Sequence, residues 1–202
     1  MQSMSAFRGG AVALGLVVAV VLSVLALGQG DDLLAEIRAE LVPEAGTETS
    51  YGMPLSVESL SQLVDWWYTL VPAVEDQPAY VDGLRQLVAP CCDDNTAFKC
   101  CCEQGDNACN LIRSGKGLAA YLILELDYQA EAVAASVLEW FRFVRPDYYV
   151  AAELAARGLD PQLYGLTTHG SCYRGLCDVA ISEGGCGGML ELFEPAIDAA
   201  GS

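Results

Sequence analysis

Nine cysteines, all confined to two stretches of the chain, limit what this sequence can fold into more than any other feature. None of them lies in the apolar middle of a predicted helix, where cysteines that act as small hydrophobic residues would be scattered. Thiols gathered in loops form disulfides, bind metal ions or exchange disulfides with a partner. The nine positions are Cys91, Cys92, Cys100, Cys101, Cys102, Cys109, Cys172, Cys177 and Cys186.

The first thirty residues have the composition of a membrane segment. An uncharged run of 18 residues extends from Ala11 to Gly28, and as a helix it would span about 27 Å, close to the thickness of the hydrocarbon layer. Arg8 precedes the run and Asp31 follows it, which predicts a cytoplasmic N-terminus and an extracytoplasmic remainder. A cleaved signal peptide is the alternative, because Ala26-Leu27-Gly28 is an acceptable cleavage site. We expect an uncleaved anchor, which makes the membrane a partner.

The charge balance is strongly acidic. The 202 residues include 27 Asp and Glu against 10 Lys and Arg, which gives a net charge of −17. Such a surface repels phosphate backbones, so we expect no nucleic-acid partner. It is compatible with metal cations and with a protein partner in an exported or membrane complex.

Helical periodicity predicts an all-α fold, with the N-terminal membrane helix followed by a small helical bundle that carries cysteine-rich loops. The expected organisation is a membrane segment at 1–30, a helix and linker at 31–55, and a cysteine-rich helical domain at 56–202. The first three expected helices are Asp31 to Glu40, one that runs from a capping box at Ser56 to Ser59 up to Pro72, and Gln77 to Val88. A fourth, continuous core helix is expected from Gly117 to Val144, entered through Gly115-Lys116-Gly117.

The fifth expected helix begins after Pro146 and ends at Gly158. A short turn or helix at Asp160-Pro161 follows, and a last helix starts at Met189.

Two adjacent tryptophans in the second predicted helix draw attention. Neighbouring side chains on a helix point about 100° apart, so Trp66 and Trp67 cannot both face the same core. One of them would cover a cysteine site or form part of a partner surface. Packing at the core and its rim is the alternative.

The cysteine pattern is compatible with both disulfides and metal binding. Nine is an odd number, so a disulfide framework leaves at least one thiol over, and the vicinal Cys91 and Cys92 would pair with other cysteines because a bond between them is strained. Dense thiolates favour copper(I) or zinc, although the spacing matches no standard zinc ribbon. His169, the single histidine, precedes Cys172 by three residues. Met189 follows Cys186 at the same spacing and is a possible soft ligand.

Thiol–disulfide exchange is a third use of such cysteines. Cys109 is followed by Arg113 and Lys116, and positive charge activates a thiol. Nearby acids, among them Asp93 and Glu103, oppose this effect. The chain also has no C-x-x-C pair, which is evidence against a thioredoxin-type site.

Two segments resemble exported, cysteine-rich bacterial proteins. Leu87-Val88-Ala89-Pro90-Cys91-Cys92 resembles the cysteine loop of proteins related to the cytochrome c maturation factor CcmH. The order of this loop, intervening helices and then His169-Gly170-Ser171-Cys172 with Cys177 is similar to proteins named for a PCYCGC motif. The resemblance implies an exported helical protein with a metal-handling or cytochrome-maturation role. The chain departs from both groups, because it lacks the C-x-x-C of the first and has Cys-Cys and Cys-Cys-Cys runs unlike the second.

From these features we expect a membrane-anchored, extracytoplasmic protein that binds copper or zinc, with the nine cysteines and His169 as candidate ligands. Since not all of them can bind one ion, we expect some of the cysteines to form disulfides. Thiol–disulfide exchange or cytochrome maturation is one alternative, and a disulfide-stapled structural or interaction subunit of a membrane complex is the other. We expect no catalytic residues, since serine hydrolase, phosphate-loop and dinucleotide motifs are absent from the sequence.

Overall fold

The computed structural model describes residues 31–92, 95–99 and 108–190. Within these ranges the chain is all-α, with two isolated β-bridges in place of a sheet, and the predicted fold class is confirmed. The helices are α1 (residues 31–41), α2 (Ser59–Thr69), α3 (Gln77–Arg85), α4 (Asn110–Leu124), α5 (Ala130–Val144) and α6 (Pro146–Ala156), followed by short 3₁₀ helices at Pro161–Tyr164 and Ile181–Glu183.

The chain divides into two compact units, residues 1–40 and 41–202. In the first unit the described residues, 31–40, are helical, as their sequence pattern predicts. The predicted membrane segment at 1–30 lies outside the described residues. Among the helices that the structure does describe, none combines the length and the apolar character that a membrane crossing requires.

Helix α4 is the centre of the second unit. It is buried on all its faces along nearly its whole length, as expected of a helix that other elements surround. Helices α2, α3 and α5 all pack against it, and α3 also packs against α5. Leu63 from α2, Leu118 from α4 and Trp140 from α5 are almost completely buried in the resulting core.

A glycine in α4 allows α2 to approach closely. A Cβ atom at Gly117 would overlap the Leu63 carbonyl oxygen and would lie 2.8 Å from the Trp67 backbone nitrogen. Only a residue without a side chain fits here, which explains a glycine in the middle of a helix despite its low helix propensity.

The prediction of a single core helix from Gly117 to Val144 is wrong. The structure divides this region into α4 and α5, joined by a turn at residues 125–129 in which Asp127 has a φ of 55°. The Tyr128 amide donates to the Leu122 carbonyl (3.0 Å) and closes the turn. Folding back at this point lets two apolar helices bury their faces against each other. Helix α4 begins at Asn110, so Gly115-Lys116-Gly117 lies inside the helix and is not its entry.

The other helix boundaries differ from expectation by a few residues. Helix α2 starts at Ser59 without a capping box, because the Ser56 hydroxyl donates to the Glu58 carboxylate (2.7 Å) and not to the helix backbone. Helix α3 ends at Arg85, and the chain then pairs Val88 with Thr96. The turn predicted at Asp160 is a 3₁₀ helix whose Gln162 amide donates to the Asp160 carboxylate (3.0 Å).

Candidate metal centre

Three buried sulfurs from distant parts of the sequence meet beside the start of α4. The Sγ atoms of Cys91, Cys109 and Cys186 all lie within 4.8 Å of one another, and all three residues have no solvent exposure. We call these three residues the thiol cluster. A fourth sulfur, Cys172 Sγ, lies 3.6 Å from Cys186 Sγ. Among the described residues, none of these four cysteines is in a disulfide.

Cys91 is held by a tight loop after α3. The Ala89 amide donates to the Asn95 carbonyl (2.8 Å), and the Ala97 amide donates to the Leu87 carbonyl (2.8 Å). These bonds turn the chain back on itself and bury the Ala89–Cys92 segment. The cysteine therefore has a fixed backbone, which orients its sulfur towards the core.

Cys109 is the residue that caps the N-terminus of α4. Its backbone is extended (φ −71°, ψ 157°), and its carbonyl accepts the first helical bond from the Arg113 amide (2.9 Å). The sulfur is thus attached to the positive end of the helix dipole, which favours negative charge. A thiolate is better tolerated here than elsewhere in the core.

Cys186 is docked on the same helix end by its own loop. The Leu111 amide donates to the Cys186 carbonyl (3.0 Å) and the Asn110 amide donates to the Gly188 carbonyl (2.9 Å), so the first amides of α4 receive partners from the loop. The buried Asn110 side chain adds a bond to the Gly187 carbonyl (2.7 Å). Together these contacts fix the position of Cys186 relative to Cys109.

Cys172 is positioned by a backbone contact with Cys91. Its amide donates to the Cys91 carbonyl (3.0 Å). Gly170 makes this approach possible, because a Cβ atom there would lie 2.7 Å from the Cys92 nitrogen. The two cysteine regions of the sequence are therefore joined by main-chain hydrogen bonds as well as by their sulfurs.

A buried cation accompanies the sulfurs. Arg145, at the junction of α5 and α6, is 4% exposed. Burial lowers the pKa of its guanidinium from the ordinary value, and the charges of Cys186 and Cys91 oppose that effect. Tyr149, whose pKa is raised by burial, also interacts electrostatically with Cys91, and its buried hydroxyl has no hydrogen-bond partner among the described residues. The site thus places a positive charge close enough to interact with Cys186 and Cys91.

The remaining predicted ligands lie elsewhere. Cys92 is buried and disulfide-bonded. Cys177 is half-buried, and its carbonyl accepts from the Gly188 amide (2.8 Å). His169 is exposed and does not belong to the one group of mutually close donors in the described part of the chain. Met189 packs half-buried against the hydrophobic core. Cys100, Cys101 and Cys102 lie outside the described residues.

The tryptophan pair packs on α4 of its own chain. Trp66 is stacked on Tyr121, with ring centroids 3.9 Å apart. Trp67 lies under the guanidinium of the buried Arg113, 4.9 Å from the ring centroid. Both tryptophans are half-buried, so each has a packing role, and a contact with a partner remains a prediction.

Reasoning from the sequence missed Arg145 and Asn110. Both are almost completely buried polar residues next to the thiol cluster. Arg145 is the residue before Pro146, where one helix ends and another begins, and a cation at such a junction could have drawn attention. Nothing in the local sequence distinguishes Asn110.

Comparison with known proteins gives no relative: no family model matches the chain, and no curated protein or solved structure matches it.

Proposed function

We propose that the chain is a metal-binding protein that holds one zinc ion on the thiolates of Cys91, Cys109 and Cys186, with Cys172 as the fourth donor. The observation that carries the proposal is the convergence of three fully buried sulfurs within 4.8 Å of one another. Buried cysteines that serve only as apolar residues have no reason to come together from three separate segments.

The sulfur spacing suits a zinc ion. With Zn–S bonds of about 2.3 Å, sulfurs at the corners of a tetrahedron are separated by about 3.8 Å. Cys172 and Cys186 are 3.6 Å apart, and the separations among Cys91, Cys109 and Cys186, at most 4.8 Å, need to shorten by no more than about 1 Å. Side-chain rotation within the existing backbone can supply a change of this size.

Charge balance favours zinc over copper(I). Buried charges are tolerated only when they are compensated. Three thiolates, a divalent ion and the Arg145 guanidinium carry no net charge together, whereas a monovalent ion leaves one negative charge in the core. Cys172 is half-buried, so solvent can reach its sulfur and help to stabilise its charge.

We further propose that this domain is extracytoplasmic and anchored by the uncharged run from Ala11 to Gly28. The support is the length of the run and the distribution of charge around it. Zinc held with four sulfurs and no open position is structural or stored, not catalytic. The proposal is therefore of a zinc-holding protein without enzymatic activity.

The proposal is tested by measuring the metal content of the full chain. The protein is purified in detergent under reducing, zinc-replete conditions, and zinc per chain is measured by mass spectrometry. We expect one zinc in the wild type and a loss of most of it in Cys109→Ser. Cys177→Ser is the matched control, because Cys177 lies outside the thiol cluster, and it should retain zinc.

Replacement of zinc by cobalt(II) reports the ligands directly. Thiolate ligation gives intense near-ultraviolet absorption that oxygen and nitrogen ligands do not give. Absence of bound metal in the wild type, or equal zinc content in Cys109→Ser and Cys177→Ser, would show that the cluster is not a metal site.

The 3.6 Å contact between Cys172 and Cys186 supports a second candidate, thiol–disulfide exchange. The Cys172 thiolate, which is half-buried, would attack a disulfide of a protein partner and release one partner thiolate. The buried Cys186 would then displace the other partner sulfur, which leaves a Cys172–Cys186 disulfide and a reduced partner. Cys186→Ala should trap the mixed disulfide while Cys172→Ala should not, and equal behaviour of the two variants would exclude this chemistry.

A further inference from the structure

Two cavities lie beside Arg145, and the zinc proposal uses only the charge of that residue and neither cavity. They share Arg145, Asp147 and Arg174 in their linings. The larger has a volume of about 360 Å³, which lies in the range of about 300 to 1,000 Å³ found for small-molecule sites. The smaller, about 60 Å³, includes His169 in its lining.

Arg145 is a buried cation with unused hydrogen-bonding capacity. The side chain is 4% exposed, and one guanidinium nitrogen donates to the Gly184 carbonyl. Its Nε has no hydrogen-bond partner among the described residues. A buried donor without a partner costs about 1 to 3 kcal/mol, so a ligand that accepts from it would be favoured.

The cavity also brings two cations together in a chain that has few of them. Arg174 is exposed and interacts unfavourably with Arg145 through charge repulsion. An anionic group placed between the two guanidiniums relieves this repulsion, and a carboxylate can accept a forked pair of bonds from arginine. The two positive charges in the lining therefore favour a carboxylate ligand.

Two acids in the same lining restrict the ligand further. Asp147 and Glu183 lie with the two arginines around the larger cavity. The four side chains carry no net charge together, so a dianion such as phosphate gains little. A molecule with one carboxylate and one ammonium group complements both pairs.

We propose that the larger cavity binds a small zwitterion of the amino-acid type, with its carboxylate on Arg145 and Arg174 and its ammonium group beside Asp147 and Glu183. Ser182 also lines the cavity, and its hydroxyl can donate to the carboxylate or accept from the ammonium group. This site shares Arg145 with the proposed zinc site but none of its cysteines, and it does not require the metal.

Calorimetric titration of the full chain with individual L-amino acids tests this site, with acetate and inorganic phosphate as comparison ligands. We expect at least one amino acid to bind more tightly than either comparison ligand. Arg174→Gln should weaken that binding by about ten- to a hundredfold, because it removes a charge-assisted hydrogen bond. Arg174 is exposed, so this variant should fold normally.

Arg157→Gln is the matched control. Arg157 is also exposed, but it pairs with Glu153 on α6 (2.7 Å) and does not line the cavity. Its substitution should leave the affinity unchanged. Binding of acetate or phosphate as tightly as of any amino acid would overturn the zwitterion assignment, and so would equal losses in the two arginine variants or no binding at all. Cys109→Ser should lose zinc but retain amino-acid binding, which separates this proposal from the metal site.

Discussion

Substituting Gly117 with alanine tests the packing that places α4 at the centre of the fold. In an ordinary helix this change stabilises by about 1 kcal/mol, because alanine has the higher helix propensity. Here the added Cβ overlaps the Leu63 carbonyl oxygen and lies 2.8 Å from the Trp67 nitrogen, well inside an ordinary contact of about 3.5 Å. Since the obstructing atoms belong to backbone, they cannot move without displacing α2.

The magnitude follows from these opposing effects. Displacing α2 loosens the packing of the buried Leu63 and Val64, and overpacking of this kind costs about 3 kcal/mol, the upper part of the usual range. Subtracting the gain in propensity leaves a net destabilisation of about 2 kcal/mol. For a domain of this size, that corresponds to a fall in Tm of about 4 to 8 °C.

Urea unfolding followed by circular dichroism measures the difference. Ser61→Ala, at an exposed position of α2, is the control and should leave stability unchanged or raise it slightly. A Gly117→Ala protein as stable as the wild type would refute the close contact between α2 and α4.

Three further predictions concern other parts of the second unit. Ser114→Ala should destabilise by about 1 to 3 kcal/mol in urea unfolding, because the buried Trp140 indole nitrogen donates to the Ser114 hydroxyl (2.8 Å) and would lose its acceptor; no change would show that the bond does not form. Burial, with the charge of Glu139, raises the pKa of Tyr51 from 10.0 to about 12. The stability that the neutral Tyr51 contributes is therefore complete below pH 10 and is lost as the pH rises towards 12. Tyr51→Phe should weaken this loss of stability at alkaline pH, and a pH profile identical to that of the wild type would contradict the assignment. If zinc is bound, a free zinc concentration of about 100 times the dissociation constant should raise the free energy of unfolding by about 2.7 kcal/mol, and a chelator should remove this gain. Thermal unfolding with and without the chelator measures the difference, which Cys109→Ser should not show.

Much of the fold could be predicted because its signals are local. Apolar periodicity identified the regions of α1, α2, α3, α5 and α6 and the second half of α4, and a proline identified the start of α6. The break between α4 and α5 was missed because the apolar pattern continues on both sides and no glycine or proline marks the turn. Asp127 takes the left-handed conformation there, which aspartate tolerates better than most residues, and only tertiary packing makes that choice favourable.

The sequence showed that the candidate site would consist of cysteines, but it did not show which cysteines would come together. Clustering in loops indicated that the cysteines are important, yet their sequence spacing could not show that Cys109 and Cys186 belong to the thiol cluster and that Cys177 does not. That distinction depends on how the loop of residues 184–190 docks on the start of α4, through bonds such as that from Asn110 to Gly187. The role of Arg145 was equally hidden, because burial of a cation depends on the elements packed around it.

The loop that docks on α4 would limit the rate at which the proposed zinc site forms. Asn110 and Gly187 are separated by 77 residues, and closing a loop of that length costs about 4 kcal/mol in chain entropy, apart from a constant contribution. Until this closure is complete, Cys186 is absent from the proposed site, and the set of four thiolates is incomplete. If the thiol cluster binds zinc as proposed, tight binding would thus require this loop to dock, and zinc uptake by the unfolded chain would proceed no faster than that docking.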